Sequence, residues 1–169
     1  YPESLSRKAI LLYNDILAIG QNLLEWIDAC SPEKVKSKFS IHLSEMIANS
    51  RMNLMRIIHY PPLELNIKDG AIRAGAHADI NLITILPASS QPGLQLLKET
   101  GNWVDIKCDP GWLVINSGDM LNECSGGYYP STIHRVINPI GDATSIPRYT
   151  MPVFIHPRDE VILSDKYTA

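Results

Sequence analysis

The sequence predicts a mainly β domain, a double-sheet jelly roll, with a helical segment in front of it. From residue 53 onward, short stretches rich in branched and aliphatic residues are separated by turns that contain glycine or proline, which is typical of this fold. Strands and helices do not alternate as in parallel α/β proteins, and no glycine-rich phosphate loop is present. We therefore expect one cupin-like domain over 1–169, with a helical buttress at 1–50 and a jelly-roll core at 53–164.

The first fifty residues have the spacing of helices. Apolar residues recur every three or four positions over 3–29, which predicts one long amphipathic helix. Ser31 followed by Pro32 is typical of a helix start, so a second, short helix is expected from there to about Phe39. A third short helix is expected within 41–49. These helices carry no cluster of reactive groups, so we expect them to pack on the outside of a sheet.

The later strands are predicted from runs of β-branched and aliphatic residues bounded by turn signals. They lie at 53–60, 73–86, 94–97, 103–106, 112–116, 131–138 and 148–155. Pro61 and Pro62 end the first strand, because proline removes a backbone donor. Asp69–Gly70 is expected to form a turn, and the strands on either side of Thr100–Asn102 are expected to form a hairpin.

The longest predicted strand carries an imidazole and a carboxylate two residues apart, His77 and Asp79. Side chains two apart on a strand point to the same face, and these two groups are ligands for divalent first-row metals. His134, in the strand at 131–138, would complete a facial triad of two histidines and one carboxylate, which leaves coordination positions open on iron. We predict that these three residues bind a metal and form the catalytic centre. Asn81 has the same parity as Asp79 and is a candidate for substrate binding.

An anion-binding pair is predicted on the last strand. Arg148 and Thr150 lie two residues apart and therefore on one face. A planar guanidinium and a neighbouring hydroxyl donor suit a carboxylate. The alternative for Arg148 is an ion pair on the surface.

These residues and the phrases around them resemble the 2-oxoglutarate- and Fe(II)-dependent oxygenases, specifically the isopenicillin N synthase-like branch. The similarity extends from about Asn53 to Ser164. The phrases are LMRIIHYPP at 54–62, DINLIT at 79–84, VINSGDM at 114–120 and YYPSTIHR at 128–135.

The resemblance implies a double-stranded β-helix and a division of roles among the residues. His77, Asp79 and His134 would hold Fe(II), while Arg148 and Thr150 would bind the far carboxylate of 2-oxoglutarate. Thr150 stands where the family usually has serine. Tyr60 would reach toward a carboxylate of the cosubstrate or substrate; the alternative is a tyrosine packed in the cavity wall.

The implied reaction couples oxidative decarboxylation of 2-oxoglutarate by dioxygen to hydroxylation, desaturation or cyclisation of a small organic substrate. Isopenicillin N synthase itself uses the arginine and hydroxyl pair for its peptide substrate and takes no oxoglutarate, so an oxoglutarate-independent Fe(II) oxidase remains open. A non-catalytic jelly-roll binding module is the other alternative. Family members usually have a further region before the equivalent of residue 1 and a helix after that of residue 169, so we expect both to be missing here.

Composition limits the partners. The net charge is −3 and the pI about 5.9, so the chain lacks the basic footprint of a nucleic-acid-binding protein. Its apolar stretches fall short of the ~20 residues that a membrane span needs. Cys30, Cys108 and Cys124 are odd in number and have no metal-binding spacing, which favours reduced thiols and a cytoplasmic protein. The substrate and the oligomeric state do not follow from the sequence.

Overall fold

The computed structural model describes residues 3–63, 71–107, 109–139 and 141–169. Within them the helices are α1 (Glu3–Cys30), α2 (Glu33–Lys36), α3 (Leu43–Met46) and α4 (Asp119–Cys124), with a 3₁₀ helix at Gly141–Ser145. The strands are β1 (Leu54–Met55), β2 (Ile58–Tyr60), β3 (Ile72–His77), β4 (Ile83–Pro87), β5 (Leu94–Leu97), β6 (Trp103–Asp105), β7 (Leu113–Ser117), β8 (His134–Ile137), β9 (Arg148–Thr150) and β10 (Val153–Ile155).

The strands form two four-stranded antiparallel sheets and a two-stranded pair. The helix-backed sheet has the order β1-β10-β4-β7, and the open sheet has the order β3-β8-β5-β6. The bridging pair is β2 with β9. Residues of all three line one internal cavity, so the predicted mainly β jelly-roll fold is confirmed.

The helices cover one face of the helix-backed sheet, as predicted for a buttress. Ile83 and Ile85 of β4 are at most 1% exposed and belong to the same core cluster as Ile16 and Leu24 of α1. The alternate residue Thr84 points to the other face and lines the cavity. One face of β4 therefore packs in the hydrophobic core, and its other face lines the cavity.

Two predicted strands are each divided in the structure. The stretch 53–60 forms β1, which pairs with β10 in the helix-backed sheet, and β2, which pairs with β9. The stretch 73–86 forms β3 in the open sheet and β4 in the helix-backed sheet. The prediction of one strand over 73–86 was wrong because the chain crosses from one sheet to the other over 78–82. Runs of β-branched residues do not reveal such a crossing.

The predicted start of the second helix was also wrong in detail. The N-cap of α2 is Pro32, which has no side chain to donate or accept, and Ser31 instead donates from Oγ to Ile27 O at 2.6 Å. The Ser31 hydroxyl also lies 2.9 Å from the Tyr129 hydroxyl. Ser31 therefore closes α1 and ties it to the loop after α4.

The hairpin predicted on either side of Thr100–Asn102 is confirmed, with Leu97 paired to Trp103 in the ladder of β5 and β6. The turn predicted at Asp69–Gly70 lies outside the described residues. Cys30 and Cys124 are free thiols; Cys108 also lies outside the described residues. In the described part of the chain, no helix combines the length and the apolar character of a membrane span.

The packing of α1 on the sheet depends on Gly20, and Gly20→Val should destabilise the protein. A Cβ at this buried position would overlap Ile155 Cδ1 and lie 3.4 Å from Ile85 Cδ1. Overpacking of this kind lowers the free energy of unfolding by about 1–3 kcal/mol, measured by urea denaturation. Ala18→Val, at an exposed position of the same helix, is the control and should cost about 0.5 kcal/mol or less. Equal losses in both variants would show that the contact with the sheet is not tight.

Candidate metal centre

The two predicted histidine ligands face each other across neighbouring strands. His77 ends β3, His134 begins β8, and the two residues are direct partners in the antiparallel ladder of the open sheet. Their ring centroids are 4.5 Å apart. The pairing of β3 with β8 thus brings together two side chains that lie far apart along the chain.

Each imidazole is held through Nδ1 by a backbone carbonyl two residues earlier. His77 Nδ1 lies 2.7 Å from Gly75 O, and His134 Nδ1 lies 3.0 Å from Thr132 O. A neutral ring that donates from Nδ1 has its lone pair on Nε2. Both Nε2 atoms are therefore available as acceptors, which is the state in which imidazole binds a metal.

Asp79 lies in the crossing between the sheets and is 6% exposed. Its Oδ2 atom accepts hydrogen bonds from Thr84 Oγ1 at 2.5 Å and from Asn116 Nδ2 at 2.9 Å. Thr84 and Asn116 are direct partners in the ladder of β4 and β7, so a rigid part of the sheet presents both donors. The other oxygen, Oδ1, lies 3.9 Å from His77 Nε2 and 3.8 Å from His134 Nε2.

The N-terminus of α4 holds the backbone of the crossing. Asp119 N donates to Asp79 O at 2.8 Å. Gly118 approaches the crossing so closely that a Cβ would overlap Asn81 O and lie 2.8 Å from Asp79 O. Glycine is therefore required at this position by the close approach of two backbones, and the crossing has little freedom to move.

The three side chains form a donor set that fits a divalent metal. One potential ligand atom from each of His77, Asp79 and His134 lies within 4.8 Å of the others, and in the part of the chain that the structure describes no other cluster of this kind is found. Two imidazole nitrogens and one carboxylate oxygen are the ligands of the facial triad that holds Fe(II). The orientation of both Nε2 atoms and of Oδ1 supports this fit.

Arg148 and Thr150 project from β9 into the same cavity, on one face as predicted. Arg148 is 1% exposed; its Nη2 donates to Ser89 Oγ at 2.8 Å and its Nε to Gln91 O at 3.1 Å. Ser89 Oγ donates in turn to Thr150 Oγ1 at 3.2 Å. The alternative interpretation of Arg148 as a surface ion pair is wrong, because the guanidinium is buried and fixed by the loop at 87–92.

Tyr60 lies directly beside this arginine. It pairs with Arg148 in the ladder of β2 and β9, and Arg148 Cζ lies 5.2 Å from the centroid of its ring. Arg73 Cζ lies 5.6 Å from the same centroid. Two guanidinium groups therefore fix the position of the ring in the cavity wall through cation–π contacts.

Asn81 does not lie where its strand parity predicts. It is 1% exposed and does not line the cavity; its Nδ2 donates to Thr84 Oγ1 at 2.8 Å, behind Asp79. The expected shared face was wrong because 78–82 is a crossing and not a strand. The position of Asn81 fits support of the Asp79 carboxylate through Thr84, and not contact with a substrate.

Four polar residues near the cavity were missed by the sequence analysis: Thr84, Asn116, Ser89 and Arg56. Thr84 and Asn116 gave a signal, because each is a polar residue inside an otherwise apolar strand. Arg56 gave a similar signal, because it lies four residues before Tyr60 in the same predicted strand and therefore on the same face. Ser89 lies in a loop, where a serine is ordinary, and gave none.

The cavity lies between the sheets and has a volume of about 380 Å³. The histidines and Asp79 line it together with Arg148, Thr150 and Tyr60. Apolar side chains from both sheets and the bridging pair form most of the remaining wall: Ile58, Leu86, Leu94, Leu96, Val114 and Val136. The polar groups are thus concentrated in a largely apolar space, as in many small-molecule sites.

Comparison with known proteins identifies the family. The model of the 2OG-Fe(II) oxygenase superfamily matches residues 51–157, which include all of the residues that carry the site. The chain belongs to the 2OG-Fe(II) oxygenase superfamily. Members of this superfamily use Fe(II) and 2-oxoglutarate, and the family recognised from the sequence is confirmed.

Individual relatives agree with this membership. A 2-oxoglutarate-Fe(II) type oxidoreductase from Aspergillus fumigatus is 37% identical over 101 residues, which are 59% of this chain and 29% of that protein. A crystal structure of a Shewanella oneidensis protein assigned as an oxygenase is 50% identical, with a TM-score of 0.93, and covers all of this chain and 63% of that one. A full-length Neurospora crassa protein crystallised in complex with alpha-KG is 25% identical, with a TM-score of 0.75, over 94% of this chain and 48% of that one.

The chain therefore spans less than a third of the length of the curated relatives it matches and under two thirds of the Shewanella chain. The double-stranded β-helix of the superfamily agrees with the two facing sheets of the structure.

Replacement of the Thr84 hydroxyl should weaken metal binding. Thr84→Val keeps the shape of the side chain but removes the donor to Asp79 Oδ2 and leaves the buried Asn81 amide without its acceptor. Loss of an outer hydrogen bond of this kind costs about 10–100-fold in metal affinity. Anaerobic titration with Fe(II), followed by calorimetry, measures the change.

Thr84→Ser is the matched control, because it retains the hydroxyl and should bind metal within a few-fold of the unchanged protein. If Thr84→Val bound Fe(II) as tightly as Thr84→Ser, the hydrogen bond to Asp79 would have no part in holding the metal.

Proposed function

We propose that the protein is a non-haem Fe(II) dioxygenase that couples oxidative decarboxylation of 2-oxoglutarate to the oxidation of a small organic substrate. The observation that carries the proposal is the convergence of His77, Asp79 and His134 in the same cavity as Arg148 and Thr150. A metal-binding triad alone would suit many functions. A buried guanidinium beside it adds a site for an anionic cosubstrate, which the superfamily match identifies as 2-oxoglutarate.

His77, Asp79 and His134 would hold Fe(II) through Nε2, Oδ1 and Nε2. The hydrogen bonds at Nδ1 and at Oδ2 fix the side chains before the metal arrives, so little conformational entropy remains to be lost on binding. Three ligands leave the remaining coordination positions for cosubstrate and dioxygen.

Arg148 and Thr150 would bind the far carboxylate of 2-oxoglutarate. Ser89 holds both side chains, because its hydroxyl accepts from Arg148 Nη2 and donates to Thr150 Oγ1. Tyr60, fixed against Arg148, would border the same carboxylate. A charge-assisted bond to a guanidinium that is 1% exposed is stronger than the same bond in water.

Iron and 2-oxoglutarate together would activate dioxygen, with release of succinate and carbon dioxide, and supply the oxidising power. The protein's own part is to position both reactants and to exclude water. The apolar residues of the wall, such as Leu86 and Val136, would exclude water from the inner part of the cavity and so limit side reactions. A cavity of about 380 Å³ suits a small molecule.

The free thiols of Cys30 and Cys124 support a reducing compartment, and a cytoplasmic location is part of the proposal.

The proposal predicts different losses for the two halves of the site. Anaerobic addition of Fe(II) and 2-oxoglutarate should produce the visible metal-to-ligand charge-transfer band of a chelated complex. Asp79→Ala should abolish both Fe(II) binding and the band, because the metal loses its anionic ligand. Arg148→Gln should keep Fe(II) binding but raise the 2-oxoglutarate concentration needed for the band by about tenfold or more, because a charge-assisted bond is lost.

Arg135→Gln is the matched control for Arg148. The Arg135 side chain lies on the open sheet and does not line the cavity: its Cζ lies 4.0 Å from the centroid of the Trp103 ring, and its Nε donates to Gln95 Oε1. The Arg135 variant should therefore bind 2-oxoglutarate as the wild-type protein does.

Fe(II) binding without the band would favour the oxoglutarate-independent oxidase. Absence of Fe(II) binding would favour the non-catalytic binding module. Equal loss of iron in the Arg148 and Asp79 variants would contradict the assigned roles.

A further inference from the structure

We propose that Arg56 binds an anionic group of the substrate, and that the substrate is a small, largely apolar molecule with one carboxylate. This inference rests on the proposed function, because it assigns Arg148 to the cosubstrate and Arg56 to the second reactant. Both arginines line the same cavity, but their surroundings differ.

The pairing of β2 with β9 fixes the positions of the two arginines along the cavity. Tyr60 pairs with Arg148 and Ile58 with Thr150, while Arg56 N donates to Pro152 O at 3.0 Å. Alternate residues of both stretches line the cavity, which is the periodicity of strands. Arg56 is therefore four residues away from the level of Arg148, or about 13 Å at the rise of a β-strand. The two arginines therefore extend from different levels of the cavity wall.

The two guanidinium groups also differ in what they contact. Arg148 is buried and held by Ser89 and Gln91, whereas Arg56 is exposed to the cavity and its surroundings. Among the residues that the structure describes, no hydrogen bond or ion pair is found for the Arg56 side chain. A guanidinium that faces a binding cavity without a protein acceptor is available to a ligand.

The charges of the cavity favour an anion of single charge. Divalent iron and two guanidinium groups bring four positive charges, and Asp79 is the one acidic residue of the described lining. The 2-oxoglutarate dianion leaves one positive charge without a counterion, and that charge lies at Arg56. A monoanionic substrate supplies the counterion for this charge and so completes the site.

The wall near Arg56 is apolar. Pro152 lies beside it through the backbone hydrogen bond, and Phe154, the next cavity-facing residue of the same stretch, lines the cavity as well. A ligand that is largely apolar and has one acidic group therefore matches this part of the cavity. Its acidic group would contact Arg56, and its apolar part would contact the neighbouring wall and extend toward the triad.

The test uses the full-length protein loaded anaerobically with Fe(II) and saturating 2-oxoglutarate, so that Arg148 is occupied. The probes are small monocarboxylic acids and their primary amides, which have nearly the same shape without the charge; benzoate with benzamide and octanoate with octanamide are two such pairs. Binding is measured from the change in the charge-transfer spectrum, and turnover in air from succinate formation.

At least one acid should change the spectrum and bind about tenfold or more tightly than its amide. Arg56→Gln should weaken the binding of that acid by about tenfold to a hundredfold and leave the spectrum without the acid unchanged. Arg56→Lys should recover part of the loss, because it retains the charge without the planar fork. Arg51→Gln, which removes an exposed arginine outside the cavity lining, is the matched control and should bind the acid as before.

Three results would overturn the inference: acids and amides that bind alike, an Arg56→Gln protein that binds the acid as well as the unchanged protein, or a panel in which no acid binds. Each of these leaves the proposed function standing if the charge-transfer band forms. Absence of the band in the unchanged protein would instead count against the proposed function itself.

Discussion

The hydrogen bonds that orient the Asp79 carboxylate are the interaction on which the rest of the site depends. Asp79 lies where the chain leaves the open sheet and enters the helix-backed sheet, a place where backbone geometry alone does not fix a side chain. Thr84 and Asn116, paired across β4 and β7, hold one carboxylate oxygen and leave the other facing the histidines. Because β4 packs on α1 by its other face, through Ile83 and Ile85, the stability of the core and the geometry of the site are coupled.

The cavity has two regions with different physical character. Around Arg148 the guanidinium and the Thr150 hydroxyl are held by Ser89 and by the loop that contains it, so this region is fixed and suits one invariant ligand. Around Arg56 the guanidinium is exposed and the neighbouring wall is apolar, so this region can accept different ligands with one shared feature. In the proposed function the fixed region binds the cosubstrate and the adaptable region binds the second reactant.

The sequence predicted which side chains come together better than it predicted the local structure that positions them. His77, Asp79 and His134 were predicted to meet from their chemistry and spacing, and they lie together in the structure. The reason given for the first two, a shared strand face, was wrong because β3 ends at His77 and Asp79 lies in the crossing. The same assumption misplaced Asn81. Pairing between distant segments, such as that of Thr84 with Asn116, is decided by tertiary structure, and a single sequence does not contain it in readable form. Arg148 and Thr150 were placed correctly because both lie on one short strand.

Diffraction from crystals grown with Mn(II) as a stand-in for Fe(II), at an energy where manganese scatters anomalously, tests the central claim most directly. We predict one anomalous peak in the cavity, about 2.0–2.3 Å from His77 Nε2, His134 Nε2 and Asp79 Oδ1. Oδ2 should still accept from Thr84 and Asn116. A peak bound by other atoms, or an Asp79 carboxylate turned so that Oδ2 leaves these two donors to meet the metal, would contradict the account.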